Sequence, residues 1–234
     1  VELYPVPLYL SACASINSAA SANAAAAFAS VQSVCTEEMM HMQLAANMCL
    51  ALGTTPNFTA PVYGVTPTFP DGTPILDPDD PVTGNSGILN ASIGNITQLL
   101  PTMLDIEVPT EFEAGALLPP YHSIGQMYDA LLGLARLCRS SAPWSLTNQQ
   151  SSFFAVQPFT QTIGSYNDMV SAVGVICEQG EGQAQSPPPN PPYTASQFMI
   201  PDVNDQLVGA KSDPSPLNTY SHFGRFLTVQ GYNL

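Results

Sequence analysis

Proline is distributed so unevenly along this 234-residue chain that its positions alone decide where long regular elements can run. Of 23 prolines, 11 fall within 54–120 and eight within 186–216. Proline lacks the amide donor that helix interiors and central strands need, so both segments are expected to be irregular insertions. An excursion as long as 54–120 is unusual in a compact domain and points to a wrapped surface segment with a function of its own. A short helix over about 92–105 is expected to interrupt it, and Pro187-Pro188-Pro189 favours polyproline II structure. The rest reads as helix. The stretch 1–30 is rich in Ala and Leu, with Pro5 and Pro7 in first turns, where no intrahelical bond is lost. Over about 24–52 the apolar positions Phe28, Val31, Val34, Cys35, Met39, Met42, Ala45, Ala46, Cys49 and Leu50 recur at helical spacing, and Gly53 is placed to end the run. A third helix fits 123–139, a fourth fits 162–178 with Gly180 and Gly182 beyond it, and a last short one fits about 221–229. Four principal helices with loops after the second and the fourth predict an all-α bundle, read as a single domain over 1–234.

The charge balance removes several partners. Eighteen acidic residues face only Arg136, Arg139, Lys211 and Arg225, for a formal charge of −14. Four scattered cations cannot form the basic patch that phosphate backbones or anionic membranes require, so neither nucleic acid nor membrane is an expected partner. The Ala-rich 19–29 stretch is interrupted by Ser21 and Asn23, and no run reaches the roughly 18 apolar residues a bilayer span needs. Because the sequence starts at Val1 and not at Met, a removed secretory leader is expected. Three sequons, Asn57-Phe-Thr, Asn90-Ala-Ser and Asn95-Ile-Thr, support export and N-glycosylation. Five cysteines, Cys13, Cys35, Cys49, Cys138 and Cys177, are an odd number, so at least one lies outside any internal disulfide. Most read as small buried hydrophobes in helices; the alternative is a thiol contacting a metal or ligand, since Cys177 adjoins Glu178 and Cys35 precedes Glu38 by about one turn.

The chemistry concentrates in Glu38-Met39-Met40-His41. On a helix, residues three apart project from one face about one turn from each other. Di-iron and di-manganese carboxylate bundles place such Glu-x-x-His pairs on their helices. A solvated polar stripe is the bland alternative, but Met39, Met40, Met42 and Leu44 flank the pair. Burying Glu and His costs several kcal/mol unless they are paired or ligate an ion, so the apolar context favours ligation. Other motifs carry less. Asp77-Pro-Asp-Asp starts like a calcium loop, yet Val82 and Ile88 stand where Gly and Glu are needed, and it reads as a turn. No nucleophile elbow, P-loop or dinucleotide fingerprint occurs. Tyr9, Tyr128, Phe223 and Phe226 read as core.

Several segments together carry a resemblance: Glu2-Leu-Tyr-Pro-Val-Pro-Leu-Tyr-Leu10, the run from Glu37 to Gly53, Ile106-Glu-Val-Pro109, Tyr121-His-Ser-Ile-Gly-Gln-Met-Tyr-Asp129, Ile176-Cys-Glu-Gln-Gly-Glu-Gly182 and Ser221-His-Phe-Gly-Arg-Phe226. In this order they are similar to the ferritin-like domain of iminophenyl-pyruvate dimer synthases, enzymes of bisindole pigment pathways, over nearly the whole chain. The resemblance implies a ferritin-like four-helix bundle with long Pro-rich loops. It implies metal ligands at Glu2 on the first helix, Glu38 and His41 on the second, Glu178 on the fourth and His222 in the terminal segment, with Glu181 as an outer acid. All three histidines of the chain fall in these segments. One position departs: the family's Tyr-His-x-Ile-Gly-Glu-Phe-Tyr carries Glu where this chain has Gln126, a neutral and weaker ligand. The site is then expected to hold one divalent ion, or two weakly, with His122 and Asp129 as compensating candidates on the same helix face. Iron, manganese and zinc all suit carboxylate and imidazole ligands.

Two functions follow. In the first, a secreted glycoprotein holds a small aromatic, indole-derived ligand or pigment beside the metal, near Cys177, Gly174 and Ser171, where small side chains leave space. Its size and sequons are also similar to pink-coloured chromoproteins of mushroom fruiting bodies, a likeness that no motif carries. In the second, the metal supports oxidative coupling of indole-pyruvate-type imines. Gln126 and the expected export weigh against that reading, since the family's enzymes work inside the cell. Iron storage in a closed shell is disfavoured by the long loops and glycans.

Overall fold

A computed structural model of the chain describes residues 1–59, 62–77, 92–110, 113–150, 161–180, 192–199, 220–232 and 234. Asn90, Glu181, Lys211, the Pro187–Pro189 run and the residues following Asp77 in the acidic turn lie outside them. Six α-helices occur among the described residues: α1 (Pro5–Ala14), α2 (Ala22–Ala51), α3 (Ile96–Glu107), α4 (Ile124–Cys138), α5 (Tyr166–Gln179) and α6 (His222–Gln230). No strand accompanies them there, only isolated bridges such as Leu76 with Tyr121. None of these helices is long and apolar enough to cross a membrane.

Caps explain most boundaries. Ser21, Asn95, Ser123, Ser165 and Ser221 each accept the backbone N–H three residues on, which satisfies one of the donors a helix start leaves open. Asn95 adds a full capping box with Gln98. At the other end of α2, Gly53 adopts φ 79, a left-handed conformation that favours glycine.

The first expected helix is shorter than its composition suggests. It stops at Ala14, and α2 begins at Ala22. In the break, Ser15 Oγ donates to the Ala12 carbonyl at 2.7 Å and accepts the Ile96 N–H at 2.7 Å, while Asn17 Oδ1 accepts the Ala19 N–H at 3.3 Å. Short polar side chains that bond nearby backbone offer the chain an alternative to continuing the helix. The remaining helices lie within a few residues of their expected positions, including α3 inside the Pro-rich segment.

With 30 residues, and a length of about 45 Å at the standard rise, α2 is the axis of the molecule. It packs against α1, α5 and α6, while α3 joins α1 and α6, and α4 packs on α5. Two apolar cores form along it. One gathers Leu8, Tyr9, Val31, Val34, Cys35, Met103, Phe223 and Phe226 from α1, α2, α3 and α6. The other gathers Met40, Leu44, Met48, Tyr128, Met169, Val173 and Ile176 from α2, α4 and α5. Between Cys35 of the first core and Met40 of the second, α2 carries Glu37 and Glu38, with His41 immediately after, so the polar residues sit at the seam.

Candidate metal centre

At this seam Glu2, Glu37, Glu38, His41, Glu107 and His222 converge, and five of the six are buried outright. Two groups of ligating atoms lie within 4.8 Å of one another: Glu2, Glu38 and His41, and Glu38, Glu107 and His222. Glu38 belongs to both. In the first group His41 Nδ1 is 3.7 Å from Glu38 Oε1 and 3.9 Å from Glu2 Oε2. In the second, His222 Nδ1 is 2.8 Å from Glu38 Oε1 and 3.6 Å from Glu107 Oε2. The two imidazoles stack with centroids 5.4 Å apart.

Each group is held by donors around it. The Tyr128 hydroxyl donates to Glu2 at 2.6 Å, and the Tyr9 hydroxyl donates to Glu107 at 2.5 Å. Gln179 Oε1 lies 2.9 Å from His41 Nε2, and Glu37 Oε2 lies 2.9 Å from His222 Nε2. These contacts fit the N–H tautomer at both Nε2 atoms, leaving both Nδ1 atoms facing the carboxylates. Arg225, also buried, donates to the Tyr220 carbonyl, to Ser33 Oγ and to Glu37 Oε1 at 2.9–3.0 Å, which anchors α6 and Glu37 together.

Electrostatics follow from crowding. Burial and the neighbouring Glu38 charge raise the Glu2 carboxyl above its usual range, against smaller lowering contributions from His41 and Tyr128. Burial would also raise Glu37 and Glu38, but Arg225 and His222 bring the former to about 2, and His222 and His41 bring the latter to about 2. Burial lowers the His222 imidazole, and Glu107, Glu37 and Glu38 outweigh it, leaving the group well above its normal value. His41 shifts upward for the same reason, through Glu38. Burial, and Glu107 or Glu2 respectively, push the Tyr9 and Tyr128 hydroxyls well above the usual range, so both stay protonated donors.

The donor set fits a divalent ion. Four carboxylates with one guanidinium leave an excess of buried negative charge that protonated imidazoles, protonation of Glu2 or a metal can offset. His222 Nδ1 is buried without an aligned hydrogen bond, despite its 2.8 Å approach to Glu38. An Nδ1 aimed among carboxylates stands where a metal-ligating imidazole would present its lone pair once deprotonated. Beside both groups lies a cavity of about 40 Å³, bounded by Glu2, Glu38, His41, Glu107, Gly125 and Cys177. It has room for an ion or a few waters, not for a bicyclic molecule. Gly180 also borders it; a Cβ there would lie 3.2 Å from the Ile176 carbonyl and 3.5 Å from Glu107.

Of the expected ligands, Glu2, Glu38, His41 and His222 are brought together. Glu178 stands outside both groups; its neighbour Gln179 turns inward to His41 instead. Gln126 is not in a ligand position either. Because α4 starts at Ile124, Gln126 lies in its first turn, where its Oε1 accepts the His122 N–H at 2.7 Å and its Nε2 donates to the Glu113 carbonyl at 3.2 Å. His122 is exposed with Nδ1 3.8 Å from Asp77, and Asp129 accepts the Gly115 N–H at 2.8 Å; neither belongs to the two groups. Of the expected ligand-binding positions, Cys177 borders the small cavity, Ser171 faces solvent, and neither Ser171 nor Gly174 lines it. None of the five cysteines forms a disulfide and all lie in helices; Cys13 and Cys35 are buried, as the packing reading expects, whereas Cys49 and Cys177 are half-buried and Cys138 is exposed. Glu107 is the one member of the two groups that the sequence did not single out, although Ile106-Glu-Val-Pro109 carried part of the resemblance.

A ferritin-like family profile matches residues 1–230. A search of curated proteins returns no match. Among solved structures, a ferritin-like protein from Caulobacter vibrioides is similar with a TM-score of 0.58 and 28% identity, covering 78% of this chain and 63% of that one. This chain thus spans less than two thirds of that protein's length. With the bundle, the buried carboxylate–histidine groups and a match running almost end to end, the chain belongs to the ferritin-like family.

Proposed function

We propose that this protein holds one or two divalent ions, iron, manganese or zinc, in the two groups that share Glu38, and that it retains a small aromatic, indole-derived ligand or pigment close by. The shared Glu38 carries the proposal, because a carboxylate common to two three-residue groups suits a two-ion centre. Glu2, Glu38 and His41 would hold one ion, and Glu38, Glu107 and His222 the other. A bound ion would supply Lewis acidity and, for iron or manganese, one-electron redox capacity. The residues themselves orient the imidazoles through Gln179 and Glu37, and keep protons on Tyr9 and Tyr128.

Retention is favoured over turnover because the 40 Å³ cavity admits no organic substrate to the space between the groups. The second reading, oxidative coupling of indole-pyruvate-type imines as in the iminophenyl-pyruvate dimer synthases, is supported by that same cavity reaching both groups, within range of water or dioxygen. The proposal includes export and glycosylation: Asn57 and Asn95 are exposed, and each uses only its carbonyl oxygen in local hydrogen bonds, leaving the amide nitrogen for a glycan. Absorption spectroscopy and elemental analysis of protein purified from its natural source test the reading. A visible band with stoichiometric metal is expected; a colourless, metal-free, folded protein would sink it, and turnover of an indole-pyruvate imine with oxygen would favour the enzyme. Peptide N-glycosidase treatment should lower the mass of that material.

A further inference from the structure

A second, much larger cavity opens on the other side of Glu2. It is a cleft of about 490 Å³ between the 42–49 stretch of α2, with Leu52 just beyond the helix, and the 127–134 face of α4, with Thr54, 56–58, Phe69 and Ile75 also lining it. We propose that this cleft binds a flat, uncharged aromatic molecule bearing one N–H or O–H donor, seated with that donor on the Glu2 carboxylate beside Tyr128. The inference rests on the aromatic-ligand half of the proposed function and gives that ligand a place and a chemistry.

Four observations carry it. The volume falls in the range of small-molecule sites, unlike the cavity at the metal groups. The walls include Met42, Met48, Met127 and Leu131, and thioethers adapt their shape and polarizability to aromatic faces. At the mouth, Phe58 is 57% exposed and Leu134 44%, apolar surface that an occupant would cover. At the inner end, Glu2 accepts the Tyr128 hydroxyl on Oε1, and its Oε2 is 3.9 Å from His41, so the carboxylate keeps capacity for another donor.

Charge narrows the occupant. Among the described residues no Lys or Arg side chain lines the cleft, and Glu2 is the acid at its end. A carboxylate-bearing ligand would be desolvated against the Glu2 carboxylate, whereas a neutral N–H donor meets an acceptor. The occupant would lie against a residue of the first metal group, which couples the cleft to the centre without entering the small cavity.

Titration calorimetry on the recombinant full chain, with its metal content measured, tests this using three probes of one shape: indole, benzofuran and indole-3-carboxylate. Indole is expected to bind with one-to-one stoichiometry, and each of the other two at least about tenfold more weakly, benzofuran for want of the donor and indole-3-carboxylate for its charge. Ala45→Trp, which fills the cleft, should abolish indole binding at unchanged metal content. Leu134→Lys, at the exposed mouth where folding is not at risk, should narrow or invert the preference for indole over indole-3-carboxylate. Equal binding of all three probes would overturn the proposal, as would indole affinity that survives Ala45→Trp. Selective indole binding by a metal-free chain would support the cleft while refuting the metal reading; metal without any indole binding would do the reverse.

Discussion

The two halves of the candidate metal centre share one carboxylate and differ in almost everything else. His222 is fully buried, 2.8 Å from Glu38, held by Glu37 at 2.9 Å and backed by Arg225. His41 stands at 3.7 and 3.9 Å from its carboxylates, beside a Glu2 that remains 8% exposed and borders both cavities. One half is closed by helices packed around it. The other is looser and adjoins space. Ligand positions that are already close and oriented favour tight, structural binding, whereas a looser set beside a cavity leaves room for water or a ligand. The difference suggests a division of labour, with the His222 half fixing the fold and the His41 half meeting small molecules.

Replacing the shared residue should have the largest effect. Glu38→Ala removes a ligand from both groups, and elemental analysis should find no stoichiometric metal; one full equivalent retained would mean that the halves do not share it. Next come the histidines. His222→Ala leaves Glu37, Glu38 and Glu107 without their buried partner and should destabilise by about 3–5 kcal/mol in thermal or urea unfolding. His41→Ala should cost one ion with a smaller loss of stability; equal losses would erase the contrast. Glu37→Gln touches no proposed metal atom, so a folded protein with metal affinity reduced about 10–100-fold is expected from chelator competition.

The pH dependence separates the halves from the rest of the molecule. With its folded value raised well above 6.5 by Glu107, Glu37 and Glu38 against burial, His222 stabilises the metal-free protein fully below the unfolded value, and that contribution is lost as pH rises through the folded one. Glu37, brought to about 2 by Arg225 and His222 against burial, acts in the opposite sense: its contribution is present above the unfolded value of 4.5 and lost as pH falls towards 2. Chelator-treated protein should therefore melt a few degrees lower at pH 9 than at pH 7, and the metal-loaded form should not. Flat melting temperatures in both forms would count against protonated imidazoles replacing the ions. Tyr128→Phe should give the smallest change, about 0.5–1.5 kcal/mol, confined to the Glu2 half.

Much of the site was legible because its residues sit in strongly periodic helices. The Glu38–His41 spacing survives any small error in the bounds of α2. What escaped depended on register. One residue along α5 turns the side chain by about 100°, enough for Gln179 to face His41 where Glu178 was expected. Three residues from its cap, Gln126 bonds to the chain around the helix start, on His122 and Glu113. Glu107 was hidden for another reason. It ends a helix embedded in proline-rich sequence, with Pro101 inside it, and composition made that region look like decoration when it supplies a member of the second group. Periodicity shows which side of a helix is buried, but not which helix lies across from it.

The five candidate ligands stand at positions 2, 38, 41, 107 and 222. During synthesis the first four emerge long before the fifth, and a nascent chain stopped short of α6 would have the Glu2, Glu38 and His41 group but neither His222 nor the nearby Arg225. Occupancy of the second group would then act as a checkpoint on translation: only a polypeptide made and folded through its 222nd residue can take up its full complement of metal.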